Sequence, residues 1–554
     1  MSTPLIARWS DQIAASFAPY IVLRSTNDKR LKKSDFTPRA SAFREPRIAY
    51  ISEVLALMLH YDPSREGRTI SSFSLRDLSA FRSDKVSKIK WNLGALSSVC
   101  NLDCDFCYRY GSPTEGENAV IVSQGRSLLS IAEVDVRLDA ISDGFGLFSA
   151  SADLGEDFVN PKIIEIYRKI RQRAPEQVID TTTHGGFLTE EIIAQLAMLK
   201  PIDLSISLNS SNPETRRRLM KDKTPEVAIT APKLMSKYGL HYSVSIVAWP
   251  TVPISDLEAT VRYADAHNAR AIRVQLPGTS RFHPTQIEYD REKFWGDVVN
   301  LLKTLRGEIT TPIYWQPYLY RSDPIEPEIS GVFRGSPAAE VGLRAGDVIL
   351  AVNGSRVGSR ERSRALLHKS ASHGHAIQLT FQRDGSPQTV WLREEERHRQ
   401  AYPYGGEGYS TKEQAYGIFI NQGLHLPSII AVAHDARTDG MKRCLVISSH
   451  LMAASVQEVF SRLALRLPGI PRMDVIVPKA EFFGGDIILG DLLVFDDIEK
   501  AVRAHEKEAG LYDRIVVPAT MIEAGTDLNG KRFTQFNDNL GGRCVLARHP
   551  RILD

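Results

Sequence analysis

Cysteine is scarce in this chain, with five residues in 554. So few, three of them on one short segment, exclude the disulfide framework of a small secreted domain and point to a reducing cytoplasm. No run approaches the ~20 apolar residues that a membrane helix needs. Residues 1–23 are broken by Arg8, Asp11 and Gln12 and lack the basic start and continuous apolar stretch of a signal peptide. The net charge is only +3, too small to argue for a nucleic-acid or membrane partner. Internal repeats and long low-complexity tracts are also missing. What remains is ordinary globular composition, 43% hydrophobic and 24% charged. The length suggests three or four domains of ~150 residues.

The clustered cysteines are Cys100, Cys104 and Cys107, in the segment Ser-Ser-Val-Cys-Asn-Leu-Asp-Cys-Asp-Phe-Cys-Tyr-Arg-Tyr. A structural zinc site usually takes four Cys or His ligands, commonly as paired Cys-x2-Cys units, and no second pair exists here. A redox Cys-x-x-Cys of Cys104 and Cys107 leaves Cys100 unexplained. Iron in a 4Fe–4S cluster takes thiolates, normally four. Three on one loop hold three irons and leave one open.

The spacing Cys-x3-Cys-x2-Cys, with Phe106 before the last cysteine, resembles that of radical S-adenosylmethionine (SAM) enzymes. The resemblance implies a 4Fe–4S cluster whose open iron is chelated by the amino and carboxylate groups of S-adenosyl-L-methionine. An electron passed from the cluster then splits the sulfonium and yields a 5′-deoxyadenosyl radical.

The pattern from about residue 86 alternates strand and helix, which predicts an α/β domain with parallel strands. Strands are expected at 88–96, 145–150, 177–182, 202–208, 241–248 and 271–276. Helices are expected at 162–172, 189–199, 213–220, 225–238 and 254–266. Six such units fit the partial (βα)6 TIM-like barrel that the resemblance implies, and the cysteine loop would lie at the C-terminal end of its first strand. Residues 1–85 read as an N-terminal extension that packs on the main domain, with helical periodicity at 48–60. Residues 324–394 carry Gly331-Val332-Phe333, then Gly335-Ser336-Pro337-Ala338-Ala339, then Gly346-Asp347-Val348-Ile349 and Asn353-Gly354. This segment resembles a small, mainly-β PDZ domain of bacterial type, closed by a hairpin of 377–382 and 388–392 about Asp384-Gly385. Residues 395–409 read as a linker and 410–554 as a C-terminal α/β domain. There Phe482-Phe483-Gly484-Gly485-Asp486 resembles the hallmark of an uncharacterised domain that accompanies PDZ and radical SAM segments in bacterial proteins, and 514–518 reads as one of its strands. In those proteins the PDZ segment usually comes first; here it follows the barrel.

The resemblance also names candidate site residues. Phe106 is expected near the SAM adenine, with plain loop packing as the alternative. The segment Ala152-Asp153-Leu154-Gly155-Glu156-Asp157 takes the place of a Gly-Gly-Glu motif with its first glycine replaced. It makes Glu156, or Asp153, the contact for the SAM ammonium beside Gly155; a solvated acidic loop is the alternative. His184, in Thr-Thr-His-Gly-Gly, is a candidate acid/base or hydrogen-bonding group, or a turn cap. Alternation puts Ser205, Ser207 and Asn209 on one strand face, and the resemblance makes Ser207 and Asn209 binding residues. Ser243, Ser245, Arg273 and Gln275 follow on the next strands. Arg273 suits a carboxylate of SAM or substrate, or an interior acid. Cys444 and Cys544 read as structural or reactive thiols.

The function expected is therefore a radical SAM enzyme, oxidoreductase-like, that abstracts hydrogen from a small-molecule or peptide substrate. It would draw electrons from a flavodoxin- or ferredoxin-like donor. Absence of further cysteine clusters weakens chemistry that needs auxiliary clusters. The backbone of residues 330–333 could capture a peptide C-terminus by strand addition, unless this chain fills that groove itself. A PDZ-centred scaffold with a redox-sensing cluster and a zinc-stabilised peptide-binding module are the competing readings.

Overall fold

The computed structural model describes residues 72–73, 96–97, 99–107, 128–139, 148–149, 155–175, 179–283, 285, 287–317, 326–357, 360–372, 375–395, 398, 415–421, 426–485, 493–518, 527 and 529–547. The expected strand at 88–96 (apart from Leu96), the helix at 48–60 and the linker at 395–409 (apart from Glu395 and His398) lie outside them. Of the N-terminal extension, only Ser72–Phe73 (β1) is described.

The first domain is a six-stranded, all-parallel sheet. In order it runs Phe148–Ser149 (β2), Ile179–Thr183 (β3), Ile202–Ser207 (β4), His241–Val247 (β5), Ile272–Gln275 (β6) and Ile313–Gln316 (β7). Alternation along the strands sorts the side chains. Leu204, Ile206, Val244, Ile246, Ile272 and Val274 join one apolar core with helix residues such as Ile193, Met235, Leu257 and Val261. The serines at 205, 207, 243 and 245, with Arg273 and Gln275, fall on the opposite face. Helices at Ile163–Arg173, Glu190–Ala197, Pro213–Met220, Pro225–Tyr238 and Ile254–Ala266 match the expected ones to within two residues. Their starts are chemically marked. Asn212 accepts from the amides of Glu214 and Thr215 at 2.9 and 3.2 Å with Pro213 behind it. Such a cap is worth about 1 kcal/mol. Strand β7 and the helix Arg291–Arg306 were not foreseen.

The PDZ-like unit holds a short strand, Gly331–Val332 (β8), and an antiparallel sheet ordered β10-β9-β11-β12. Its strands are Val348–Val352 (β9), Ser355–Arg356 (β10), Ile377–Arg383 (β11) and Ser386–Leu392 (β12). Asp347 of the Gly-Asp motif is buried because Arg383 grips both its oxygens at 2.7 and 2.6 Å. Ile418–Phe419 (β13) returns to this unit and pairs antiparallel with β8. The Ser330 amide donates to the Phe419 carbonyl at 2.8 Å and that of Phe333 to Gly417 at 2.9 Å. The strand edge expected to capture a peptide is thus filled by the chain itself. Ala415, Tyr416, Ile418 and Ile420 complete the apolar core of the unit.

The unit sits at the N-terminal ends of β6 and β7. Phe333 and Phe419 bury against Tyr314 and Ala271, and Arg334 donates to Asp265 at 2.6 Å and Asn268 at 2.5 Å. The chain then forms a mixed sheet ordered β1-β17-β16-β14-β15, from Arg443–Ile447 (β14), Arg472–Ile476 (β15), Arg514–Pro518 (β16) and Cys544–Ala547 (β17). Only β1 is antiparallel, so the described part of the N-terminal extension joins the edge of this sheet. Cys444 and Cys544 lie buried on its two faces, where burial pushes both thiols up to about 12.

Candidate active site

The cysteine loop lies over the C-terminal ends of the barrel strands. It folds as a turn, with the Cys107 amide donating to the Cys104 carbonyl at 3.1 Å. It is sewn to the end of the helix Pro213–Met220: the amides of Asp105 and Asp103 donate to the carbonyls of Leu219 and Met220 at 2.9 and 3.3 Å. Leu102 is buried among Leu219, Met220, Val247 and Trp249, and Cys100, Cys104 and Phe106 pack against the same cluster. The Phe106 ring centroid is 6.1 Å from that of Trp249.

Glu156 stands directly beneath the loop. Its amide donates to the Val99 carbonyl at 2.8 Å. Its buried carboxylate accepts from Thr183 Oγ1 at 2.6 Å, the His184 amide at 2.8 Å and the Phe158 amide at 3.2 Å. The next residue, Asp157, accepts from the Leu96 amide at 3.2 Å. Glu156 is therefore a brace, its backbone amide tied to the cysteine loop and its carboxylate to the end of β3, and not a solvated acid. Gly155 lies beside it, half-buried; Asp153 is outside the described residues.

His184 follows β3. The Gly186 amide donates to Nδ1 at 2.9 Å, which leaves the proton on Nε2, and Nε2 lies 2.8 Å from Asn101 Oδ1 in the cysteine loop. Burial holds its pKa below the usual value, and the nearby Glu156 opposes this only partly. The ring is thus neutral, with both nitrogens engaged.

Arg216 is fully buried. Its Nε donates to Asp222 at 2.7 Å, and its other nitrogens to the carbonyls of Leu208 at 2.6 Å, Ser207 at 3.2 Å and His184 at 2.5 Å. Ser207 is half-buried. Asn209 has φ +58, so it leaves the strand alternation. Its amide accepts from the Val247 amide at 2.9 Å and donates to the Ser207 carbonyl at 3.2 Å. Arg273, two strands further on, donates to Ser245 Oγ at 3.1 Å; Ser245 donates to Gln275 at 3.3 Å, and Gln275 to Gln316 at 3.0 Å. The sequence reading missed Asn101, Asp157, Arg216, Asp222 and Trp249.

Residues 95–264 match the model of the Radical SAM superfamily, and residues 321–393 that of the PDZ domain. The chain carries a radical SAM domain followed by a PDZ domain. Similar solved structures are SuiB of Streptococcus suis bound to its precursor peptide SuiA, anSMEcpe with bound AdoMet, and methylornithine synthase (PylB). SuiB is 12% identical over 50% of this chain and 66% of its own, with a TM-score of 0.32. The values are 16%, 39%, 61% and 0.30 for anSMEcpe, and 14%, 50%, 87% and 0.29 for PylB. No curated protein matches the chain.

The donor set of the radical SAM domain suits an iron–sulfur cluster. Burial raises the Cys104 thiol well above its usual pKa, and the neighbouring Cys107 and Cys100 raise it further. Three thiolates together are unfavourable here without positive charge among them, which is what irons bring. Among the described residues no three His, Cys, Asp or Glu side chains are grouped so as to hold a metal ion. No helix among the described residues is long and apolar enough to cross a membrane.

Proposed function

We propose that Cys100, Cys104 and Cys107 hold a 4Fe–4S cluster at which the radical SAM domain reductively cleaves S-adenosyl-L-methionine, and that the protein is an oxidoreductase-like enzyme acting in the cytoplasm. When bound, the cluster and SAM together supply a 5′-deoxyadenosyl radical that abstracts hydrogen from a substrate carbon. The carrying observation is three thiols on one loop, two of them, Cys100 and Cys104, packed against the strand ends of a parallel α/β sheet within a matched radical SAM segment.

The residues divide the remaining work. Phe106, half-buried beside Trp249, walls the adenine side. Glu156 fixes the loop to β3, and Gly155 leaves room beside it for the SAM ammonium. His184 holds Asn101 in place and moves no proton. Ser207 and Arg273, with Asn209 clipping β4 to β5, line the way inward to SAM and the substrate. The reductant is a flavodoxin- or ferredoxin-like protein. The substrate is a small molecule or a peptide; the PDZ domain favours a peptide, which would use a surface other than the filled β8 edge.

The test is anaerobic reconstitution with iron and sulfide, then dithionite and SAM, with 5′-deoxyadenosine as the readout. Wild type should form it, and Cys104→Ala should lose both the iron and the product. A fully loaded cluster that leaves SAM intact would refute the reaction and leave a redox sensor. Zinc in place of iron would refute the cluster.

A further inference from the structure

The segment that follows β6 and the segment that follows β15 meet each other. Both leave the C-terminal ends of parallel strands, the ends at which α/β units bind their ligands. On the barrel side, the Ser280 carbonyl accepts from the His283 amide at 3.0 Å and Ser280 Oγ from the Phe282 amide at 3.2 Å. Residues 280–283 thus form a tight turn with Arg281 at its first corner. On the other side stands the Phe482-Phe483-Gly484-Gly485 motif. The Arg281 amide donates to the Phe483 carbonyl at 2.6 Å, and Phe282 meets Phe482 and Phe483 at ring distances of 5.9 and 6.3 Å. Gly485 has φ +63, and a Cβ there would lie 1.8 Å from the Thr279 carbonyl oxygen, so the contact requires glycine.

Arg281 is held at this seam without an acid. Its stem lies over Gly484, where a Cβ would come within 3.0 Å of the Arg281 Cβ. Its guanidinium covers the rings of Phe282 at 4.7 Å and Phe482 at 6.0 Å. Ring faces attract the charge but give Nε–H no acceptor in the guanidinium plane. That Nε is buried and has no hydrogen-bond partner among the described residues. Two acids beside the facing turn are engaged elsewhere: Glu481 with Lys500 at 2.5 Å, and Asp497 with the Phe482 amide at 3.1 Å. A buried N–H on a charged fork, with no oxygen beside it, is a donor awaiting one. The turn also borders the site, because Ile287, a few residues on, packs against the cluster that Cys100, Cys104 and Phe106 touch.

We propose that Arg281 is the anchor for an oxyanion, carboxylate or phosphate, on the molecule that enters the barrel mouth, and that the C-terminal unit shares this anchor through Phe482 and Gly484. The substrate is then an acid. Its anionic group takes Nε–H and a neighbouring N–H of the guanidinium, and the phenyl rings keep water from the pair. That the bound acid is the substrate rests on the function proposed above; that an acid binds at Arg281 does not.

The test measures binding to the full-length chain by isothermal titration calorimetry, with inorganic phosphate, N-acetylglycine and the neutral N-acetylglycinamide as probes. Wild type should bind one or both anions and not the amide, and the stronger anion separates phosphate from carboxylate. Arg281→Gln should weaken that anion about ten- to hundredfold. Arg281→Lys, which keeps the charge and loses the fork, should fall between the two. Phe482→Ala should weaken it severalfold although Arg281 is intact. Arg262→Gln, at an exposed arginine paired with Glu258 and Glu308, should change nothing. The proposal fails if neither anion binds, if the amide binds as well as N-acetylglycine, or if Phe482→Ala binds like wild type. It also fails if Arg281→Gln binds like wild type, which would mark an adventitious ion only. The reaction is read separately: reconstituted Arg281→Gln should form 5′-deoxyadenosine from SAM and dithionite as wild type does. Absence of that product from wild type and variant alike would refute the radical SAM reading and leave the anion site standing.

Discussion

Arg216 has no exposed surface, although it lies in a run of three arginines. Its guanidinium ties the end of β3 to the end of β4 and meets Asp222, all beneath the cysteine loop. Burial works against its charge, and Asp222 compensates. Arg216→Met would leave the Asp222 carboxylate buried and uncompensated. We expect the unfolding free energy of the metal-free protein to fall by about 3–5 kcal/mol, read from the urea midpoint and slope. The sequence did hold a signal for this residue. Arg216, Leu219 and Met220 stand at i, i+3 and i+4, so a helix over 213–220 turns all three inward while Arg217 and Arg218 face solvent. The cysteines and Glu156 stood out in the sequence because their motifs are local. Asn101, Asp222 and Trp249 did not, because their work depends on partners far away in the chain.

At the scale of elements, the barrel helices were legible because each begins with a chemical marker and keeps one apolar stripe. Strand β7 was not. Ile-Tyr-Trp-Gln is short, buried through its first three residues, and shows no alternation. Strand β13 was hidden for another reason: two residues gain meaning only by pairing with β8, far back in the sequence. The hairpin of β11 and β12 is the opposite case. Its turn residues Asp384 and Gly385 both have positive φ, at +50 and +79, as the favoured two-residue turn demands. Gly385→Ala should therefore cost the PDZ unit about 1 kcal/mol. A Gly385→Asn variant, which tolerates this backbone better, should recover part of it; differential scanning calorimetry of the full chain would show both changes.

For the molecule as a whole, acid acts unequally on its parts. Burial, with Arg270 and Lys200 nearby, lowers His241 in the barrel from 6.5 to about 4. Between those values the unfolded chain binds a proton that the folded barrel refuses, so stability is lost as pH falls through the window. One imidazole displaced this far is worth roughly 3 kcal/mol at the acid end. In the C-terminal unit His450 behaves alike, lowered to about 4. There, however, Asp497 and Asp527 are raised to about 6 by burial. They hold protons that the unfolded chain releases above its usual 3.8, so their contribution improves as pH falls. The barrel should weaken more than the C-terminal unit between pH 6.5 and 4. Trp249, Trp295 and Trp315 lie in the barrel and residues 415–547 contain no tryptophan. Tryptophan fluorescence should therefore lose its urea midpoint before circular dichroism does, and coincident midpoints would contradict this. The pairing of β8 with β13 carries a consequence of another kind. The chain enters and leaves the PDZ unit on neighbouring strands, beside Tyr314 of β7. The detour uses many residues and covers almost no distance, so the C-terminal unit is tethered as though spliced directly behind the barrel. One recombination event at that seam could remove or exchange the PDZ cassette and leave the reacting end of the molecule where it was.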